Sequence, residues 1–128
     1  MQDGPRTPLR VVVADDERDT VLTLMTLLEE EGYQVRGLFG GAEVSRAVRD
    51  FQPDAVLLDL SMPGKSGFQI AQEIRNSPGG ELPLLIAISG RYKQGADRIL
   101  SELAGFDHHV AKPYDLNALL RLLKPLSI

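Results

Sequence analysis

The sequence predicts an α/β domain in which five parallel strands, in the order 2-1-3-4-5, are wound by helices on both faces. Three observations lead there. Short aliphatic runs, Val11-Val12-Val13-Ala14, Ala55-Val56-Leu57-Leu58 and Leu84-Leu85-Ile86-Ala87-Ile88, each close on a polar residue: Asp15, Asp59 and Ser89. Apolar runs this short, without alternation and bounded by turn residues, suit strands buried on both faces. Segments of helical periodicity separate them, and such alternation calls for a parallel sheet with right-handed crossovers. Finally, 128 residues suffice for one hydrophobic core and are too few for two.

Residues 1–8, with two prolines and a glycine, read as a flexible leader, residues 9–124 as the domain and 125–128 as a tail. Leu9–Ala14 is the first strand. A helix from about Asp19 to Glu31 presents Val21, Leu24, Met25 and Leu28 on one face, with acidic residues at the positive end of its dipole. Gly32 stops it. Tyr33, Val35, Gly37 and Phe39 alternate with Gln34 and Arg36, as in a half-buried strand. Gly40-Gly41 turns the chain into a second helix, Ala42 to Phe51, carrying Val44, Ala47, Val48 and Phe51 inward. The Asp59 strand comes after Pro53. A third helix, with Phe68, Ala71 and Ile74, runs from Gly67 to about Asn76 and ends at Ser77-Pro78-Gly79-Gly80. After the Ser89 strand, Ile99, Leu100 and Leu103 mark a fourth helix, about Gln94 to Leu103. Gly105 precedes a short strand near His109–Ala111 that ends at Lys112-Pro113. Asp115 then caps a last helix with the stripe Leu116, Leu119, Leu120 and Leu123.

Composition narrows the function. The apolar fraction of 43% and charged fraction of 25% are those of an ordinary globular protein. No apolar stretch approaches a bilayer span and the start is no signal peptide, so no membrane insertion is expected. The chain has no cysteine, which rules out disulfides and thiolate metal sites and fits a reducing, cytoplasmic setting. Fourteen basic against eighteen acidic residues give a net charge of −4. No basic run stands out, so direct nucleic-acid binding is not expected.

In the 2-1-3-4-5 order the topological switch lies between the first and third strands, where open α/β sheets bind their ligands. That winding brings Asp15 and Asp16 beside Asp59, with Ser89 and Lys112 arriving from the fourth and fifth strands. Clustered carboxylates repel one another and raise each other's proton affinity. A hard divalent cation relieves this, and oxygen-only ligands favour Mg2+. Lys112 offers a mobile positive charge for phosphate, and Ser89 a hydroxyl donor for a phosphoryl oxygen. Asp59 is placed to act as nucleophile, since a carboxylate can attack phosphorus to form an aspartyl phosphate. The neighbouring His108 and His109 would point to opposite faces of a strand and make a poor chelating pair.

Four motifs, Val-Val-Val-Ala-Asp-Asp-Glu, Leu-Leu-Asp-Leu-Ser-Met-Pro-Gly-Lys-Ser-Gly, Ala-Ile-Ser-Gly and Ala-Lys-Pro-Tyr, together resemble the receiver domain of two-component response regulators, from about Leu9 to Leu123. The resemblance implies a flavodoxin-like (βα)5 fold. It implies Asp59 as phosphoacceptor, Asp16 as a direct Mg2+ ligand, Asp15 acting mainly through water, and Ser61 through its backbone carbonyl. Ser89 would be the hydroxyl residue that follows the phosphoryl group, Lys112 would correspond to the family's lysine, and a cis peptide would precede Pro113. The phosphoryl group would come from a histidine kinase, a histidine phosphotransfer protein or a small phosphodonor. The charge on Asp59 would draw in Ser89, shift the loop at Gly90-Arg91-Tyr92 and alter the face made by the fourth helix, fifth strand and fifth helix. The resemblance implies a signalling domain rather than an enzyme with a separate substrate, and admits a dimer formed on phosphorylation.

Three positions depart from the family pattern. His109 stands where an aromatic switch residue is usual, while Ser61 and Arg91 occupy variable positions that tend to tune dephosphorylation. Gly-Phe-Asp-His-His-Val-Ala-Lys-Pro is similar to receivers of hybrid sensor kinases, so a domain of a longer protein and a free-standing receiver both stay open. Other functions fit less well. A haloacid-dehalogenase-type phosphatase needs a second Asp where Ser61 stands. A nucleotide or flavin binder wants a Gly-rich loop where the chain has Asp-Asp-Glu. A receiver that only binds partners would have no need of the five polar residues together.

Overall fold

In the computed structural model, residues 9–90, 102 and 104–127 are described. The leader and most of the expected fourth helix lie outside them, as do Arg91 and Tyr92. The first aliphatic run forms β1 (Arg10–Ala14), and the alternating segment forms β2 (Gln34–Leu38). The remaining strands are β3 (Ala55–Asp59), β4 (Leu84–Ser89) and β5 (His108–Ala111). All neighbours pair in parallel, and the order is β2-β1-β3-β4-β5. The winding expected from the sequence is the one observed.

The helices are α1 (Arg18–Glu30), α2 (Val44–Phe51), α3 (Gly67–Arg75) and α4 (Leu116–Leu123), the last being the C-terminal helix expected from the leucine stripe. The second helix begins later than its apolar pattern suggests, because Gly41–Glu43 form a 3-10 turn first. A second such turn, Lys124–Ser127, comes after α4, and its Leu126 packs against the core.

Alternation along the strands sorts the core into two layers. Val12, Ala14, Val56, Leu58, Leu85 and Ala87 face α2 and α3, meeting Val44, Phe51, Ile70 and Ile74. Val11, Val13, Leu57, Ile86 and Ile88 face α1 and α4, meeting Val21, Leu24, Leu28, Leu119 and Leu123. Burying both faces explains why the central strands read as unbroken apolar runs. The outer strand β2 keeps its alternation because Gln34 and Arg36 are exposed. Gly37 lets α1 pack closely on β2: a Cβ there would meet Met25 and lie 2.6 Å from Val21.

The starts of α3 and α4 are fixed by side chains. Ser66 and Gln69 form a reciprocal capping box at α3, and the Asp115 carboxylate accepts the Asn117 N–H at 3.1 Å to start α4. These caps satisfy backbone donors that a helix's first turn cannot pair internally. A cleft of about 600 Å3 opens at the N-terminal rim of the sheet, lined by Leu9, Val48, Ile74, Leu82 and Leu126 among others. The polar strand ends are at the other rim, and the chemistry is there.

Candidate phosphoacceptor site

Asp59 closes β3, the central strand, and all five residues of that strand are buried. It pairs with Ile88, so Ser89 lies one residue further along the rim. From β1, Asp15 and Asp16 come directly after Ala14. Oxygen atoms from Asp15, Asp16 and Asp59 lie within 4.8 Å of one another, and these three residues could hold a metal ion. Asp15 and Asp59 are buried, at 4% and 2% exposure, while Asp16 is open to solvent. Ser89, at 4%, completes the set of buried polar residues among those described.

Lys112 reaches this cluster from the far side of β5. The Lys112 backbone N–H donates to the Ser89 carbonyl at 2.8 Å, extending the β4–β5 ladder past Ala111. The side chain then carries Nζ to 2.8 Å from Asp15 Oδ2 and 3.4 Å from Asp59 Oδ2. The peptide between Lys112 and Pro113 is cis. Among the described residues one ammonium therefore serves two buried carboxylates, with Asp16 alongside.

Each carboxylate has its own hydrogen bonds. Asp59 Oδ1 accepts both the Ser61 backbone N–H, at 2.9 Å, and the Ser61 hydroxyl, at 2.8 Å. Asp15 Oδ1 accepts the Glu17 N–H at 2.9 Å. These contacts pull the proton affinities apart. Burial, with Asp59 beside it, holds the Asp15 carboxyl above the usual range despite Lys112 and the Glu17 N–H. At Asp59, burial acts in the same sense but is outweighed by the two Ser61 donors, Asp15 and Lys112, so its carboxyl sits below the usual range. Burial opposes the Lys112 charge, but Asp15 and Asp59 outweigh it and raise its proton affinity. Burial likewise raises that of the Tyr114 hydroxyl nearby.

The structure thus brings together Asp15, Asp16, Asp59 and Lys112, and places Ser89 on the same rim. Ser61 is present through its N–H and hydroxyl, a contact that the sequence does not announce, since the resemblance points only to its carbonyl. His109 is half-buried and pairs with Ala87 on the α2–α3 face. His108 alternates to the other face and is exposed, so the two rings do not converge. Sequence reasoning also missed a guanidinium hub at Arg75 and a Lys65–Glu73–Ser45 chain, with Lys65 Nζ at 2.8 Å and Ser45 Oγ at 2.7 Å from the Glu73 carboxylate. Neither has a local pattern that would reveal it.

A buried strand-end Asp, two acids after the adjoining strand and a lysine after the last strand define a class of doubly wound domain with an acidic pocket at its strand ends. Comparison with known proteins makes the class specific. The profile of the response regulator receiver domain matches residues 11–124. Response regulator MprA of Mycobacterium sp. (strain KMS) is 33% identical over 119 residues, covering 93% of this chain and 50% of the relative. The chain thus spans about half the length of the curated relatives it matches. The receiver domain of sensor histidine kinase PA1611 from Pseudomonas aeruginosa, with a magnesium ion coordinated in its active-site cleft, superposes with a TM-score of 0.83. It is 25% identical, with 98% of this chain and 99% of that one covered. Chemotaxis response regulator CheY4 of Vibrio cholerae, at 19% identity, superposes with a TM-score of 0.84 over 92% of this chain and 98% of its own, which shows the shared fold. The chain belongs to the response regulator receiver domain family, whose general role is to accept a phosphoryl group in two-component signalling.

Proposed function

We propose that Asp59 accepts a phosphoryl group from a phosphohistidine on a histidine kinase or histidine phosphotransfer protein. The observation that carries this reading is the single Lys112 ammonium within 3.4 Å of two buried carboxylates. An Asp59 carboxylate oxygen attacks phosphorus, the O–P bond forms and the P–N bond breaks. The electron pair leaves on the imidazole nitrogen, which takes a proton from water. The Ser61 N–H and hydroxyl hold the carboxylate in one orientation, which favours attack by positioning. Lys112 lies where charge spreads over the equatorial phosphoryl oxygens and stabilises it.

The donor set fits Mg2+: three mutually repelling carboxylates, oxygen ligands only, and one face open to water through Asp16. Asp16 and Asp59 would hold the ion directly, Asp15 mainly through water and Ser61 through its backbone carbonyl. When bound, the ion neutralises charge on the transferring phosphoryl group. The phosphoryl group on Asp59 carries about 1.5 to 2 negative charges where the carboxylate carried one, and Ser89 moves toward it. His109 moves with it in place of an aromatic switch residue. The changed face is that of β5, α4 and the segment before β5, and it serves partner proteins or a second copy in a phosphorylation-dependent dimer. The domain works in the cytoplasm, without contacting nucleic acid or entering a membrane. Among the described residues no helix is long and apolar enough to cross one.

Incubation with acetyl phosphate and Mg2+, then intact-mass measurement, tests the proposal. Wild type gains the mass of one phosphoryl group and Asp59→Asn gains none. Wild type without added mass would leave a receiver that only binds partners. Labelling of Asp59→Asn to the wild-type extent would place the acceptor elsewhere.

A further inference from the structure

At the rim opposite the carboxylates, the Arg75 guanidinium joins its own helix end and the turn that follows to a segment some thirty residues further on. Its Nε donates to the Gly105 carbonyl at 2.9 Å. Nη1 donates to the carbonyls of Gly80, at 2.9 Å, and Pro83, at 2.8 Å, and Nη2 donates to Asp107 Oδ2 at 2.9 Å. The same Asp107 oxygen accepts the Leu85 N–H at 2.8 Å, while the Asp107 N–H donates to the Leu85 carbonyl at 2.8 Å. The end of α3, the connection to β4 and the turn before β5 are thereby tied to one side chain.

The tie matters because β5 begins immediately after Asp107. β5 has four residues, lies at the sheet edge and pairs only with β4. None of its residues is fully buried. A strand's register is normally enforced because a one-residue slip turns its whole apolar set to the wrong face. His-His-Val-Ala lacks that protection. A slip turns each residue over, so each face still carries one histidine and one aliphatic side chain, at the cost only of trading the half-buried Val110 for Ala111 against the α1–α4 layer. Lys112 does not tolerate the slip: it would move about 3.3 Å along the strand and turn to the opposite face, away from Asp15 and Asp59.

We propose that Arg75, acting through Asp107, sets the register of β5 and so is a positioning residue for Lys112 at the other end of the strand. Lysine cannot replace it, because an ammonium is a point charge, whereas the planar guanidinium spreads its donors over four acceptors. The catalytic consequence rests on Asp59 being the phosphoacceptor; the register claim does not.

Two measurements on the full chain keep these apart. In amide hydrogen exchange, Arg75→Gln and Arg75→Lys should both lose protection at residues 108–112 while β1 and β3 keep theirs. An unchanged β5, or equal loss over the whole sheet, overturns the proposal. In the second, initial rates of labelling by acetyl phosphate are compared for wild type, Arg75→Gln, Lys112→Ala and the double variant. Arg75→Gln should slow wild type roughly tenfold, yet slow Lys112→Ala less than about twofold, because the residue it positions is already gone. The same fold loss in both backgrounds marks general destabilisation and overturns the positioning role. If wild type takes up no phosphoryl group, the functional reading fails, and the exchange experiment alone decides the register.

Discussion

Replacing Asp16 with Asn removes one charge from the acidic pocket without disturbing its buried hydrogen bonds. The Asp16 carboxylate lies within 4.8 Å of those of Asp15 and Asp59, and Lys112 bonds to the other two. Each repulsion at that distance is about 0.9 kcal/mol in a water-like dielectric and about 3.5 kcal/mol at an effective constant near 20. Asp16 is exposed, so the lower figure applies, giving about 1.7 kcal/mol for the two pairs. The attraction of Lys112 and screening by salt reduce this to about 1 kcal/mol. For 128 residues that corresponds to a melting temperature about 4 °C above wild type in EDTA. Excess Mg2+ should reverse the order, since wild type gains binding energy that the variant, lacking a ligand, does not. Thermal melts of both proteins in EDTA and in Mg2+, monitored by circular dichroism, read this directly. A variant that melts below wild type in EDTA, or that Mg2+ stabilises equally, would refute the account of the pocket as mutual repulsion relieved by a cation.

Alkaline pH should expose the stabilising role of Lys112. Its folded-state proton affinity is raised above the ordinary 10.5, so its contribution is fully present below that pH and is lost as pH rises through the folded value. Urea midpoints of wild type in EDTA should therefore fall more steeply across that range than those of Lys112→Met; parallel slopes would contradict the pairing with Asp15 and Asp59. Gly80→Ala should destabilise by on the order of 3 kcal/mol, because the added Cβ would collide with the Ile74 carbonyl and lie 2.8 Å from that of Ser77. A wild-type urea midpoint for that variant would mean the turn opens at no cost.

The strand ends are legible in the sequence because their signal is local. In Leu57-Leu58-Asp59 the strand, its end and the carboxylate occupy adjacent positions, and topology then gathers such ends on one rim. Asp15, Asp16, Asp59 and Lys112 can be placed together for that reason. The second helix is harder: Val44, Ala47, Val48 and Phe51 give a clear apolar face, but nothing in Gly41-Ala42-Glu43 distinguishes a 3-10 turn from the helix's own first turn. Side-chain bracing is invisible. Nothing in the sequence shows the Ser61 hydroxyl bonded to Asp59 Oδ1, and Arg75 reads as an ordinary basic residue ending a helix, which the dipole alone would explain.

The two rims are under opposite demands, and this is where the fold meets the chemistry. At the rim of Asp15 and Asp59, two buried carboxylates share the Lys112 ammonium among the described residues, a local conflict of the kind that a binding site retains at the expense of stability. At the other rim, Arg75 satisfies four acceptors at once, and Asp107 joins it to β4. A strand as short and exposed as β5 has few buried side chains to hold it in place. The anchorage has to come from its ends, and the end away from the site is the one that can be rigid without obstructing the ligand.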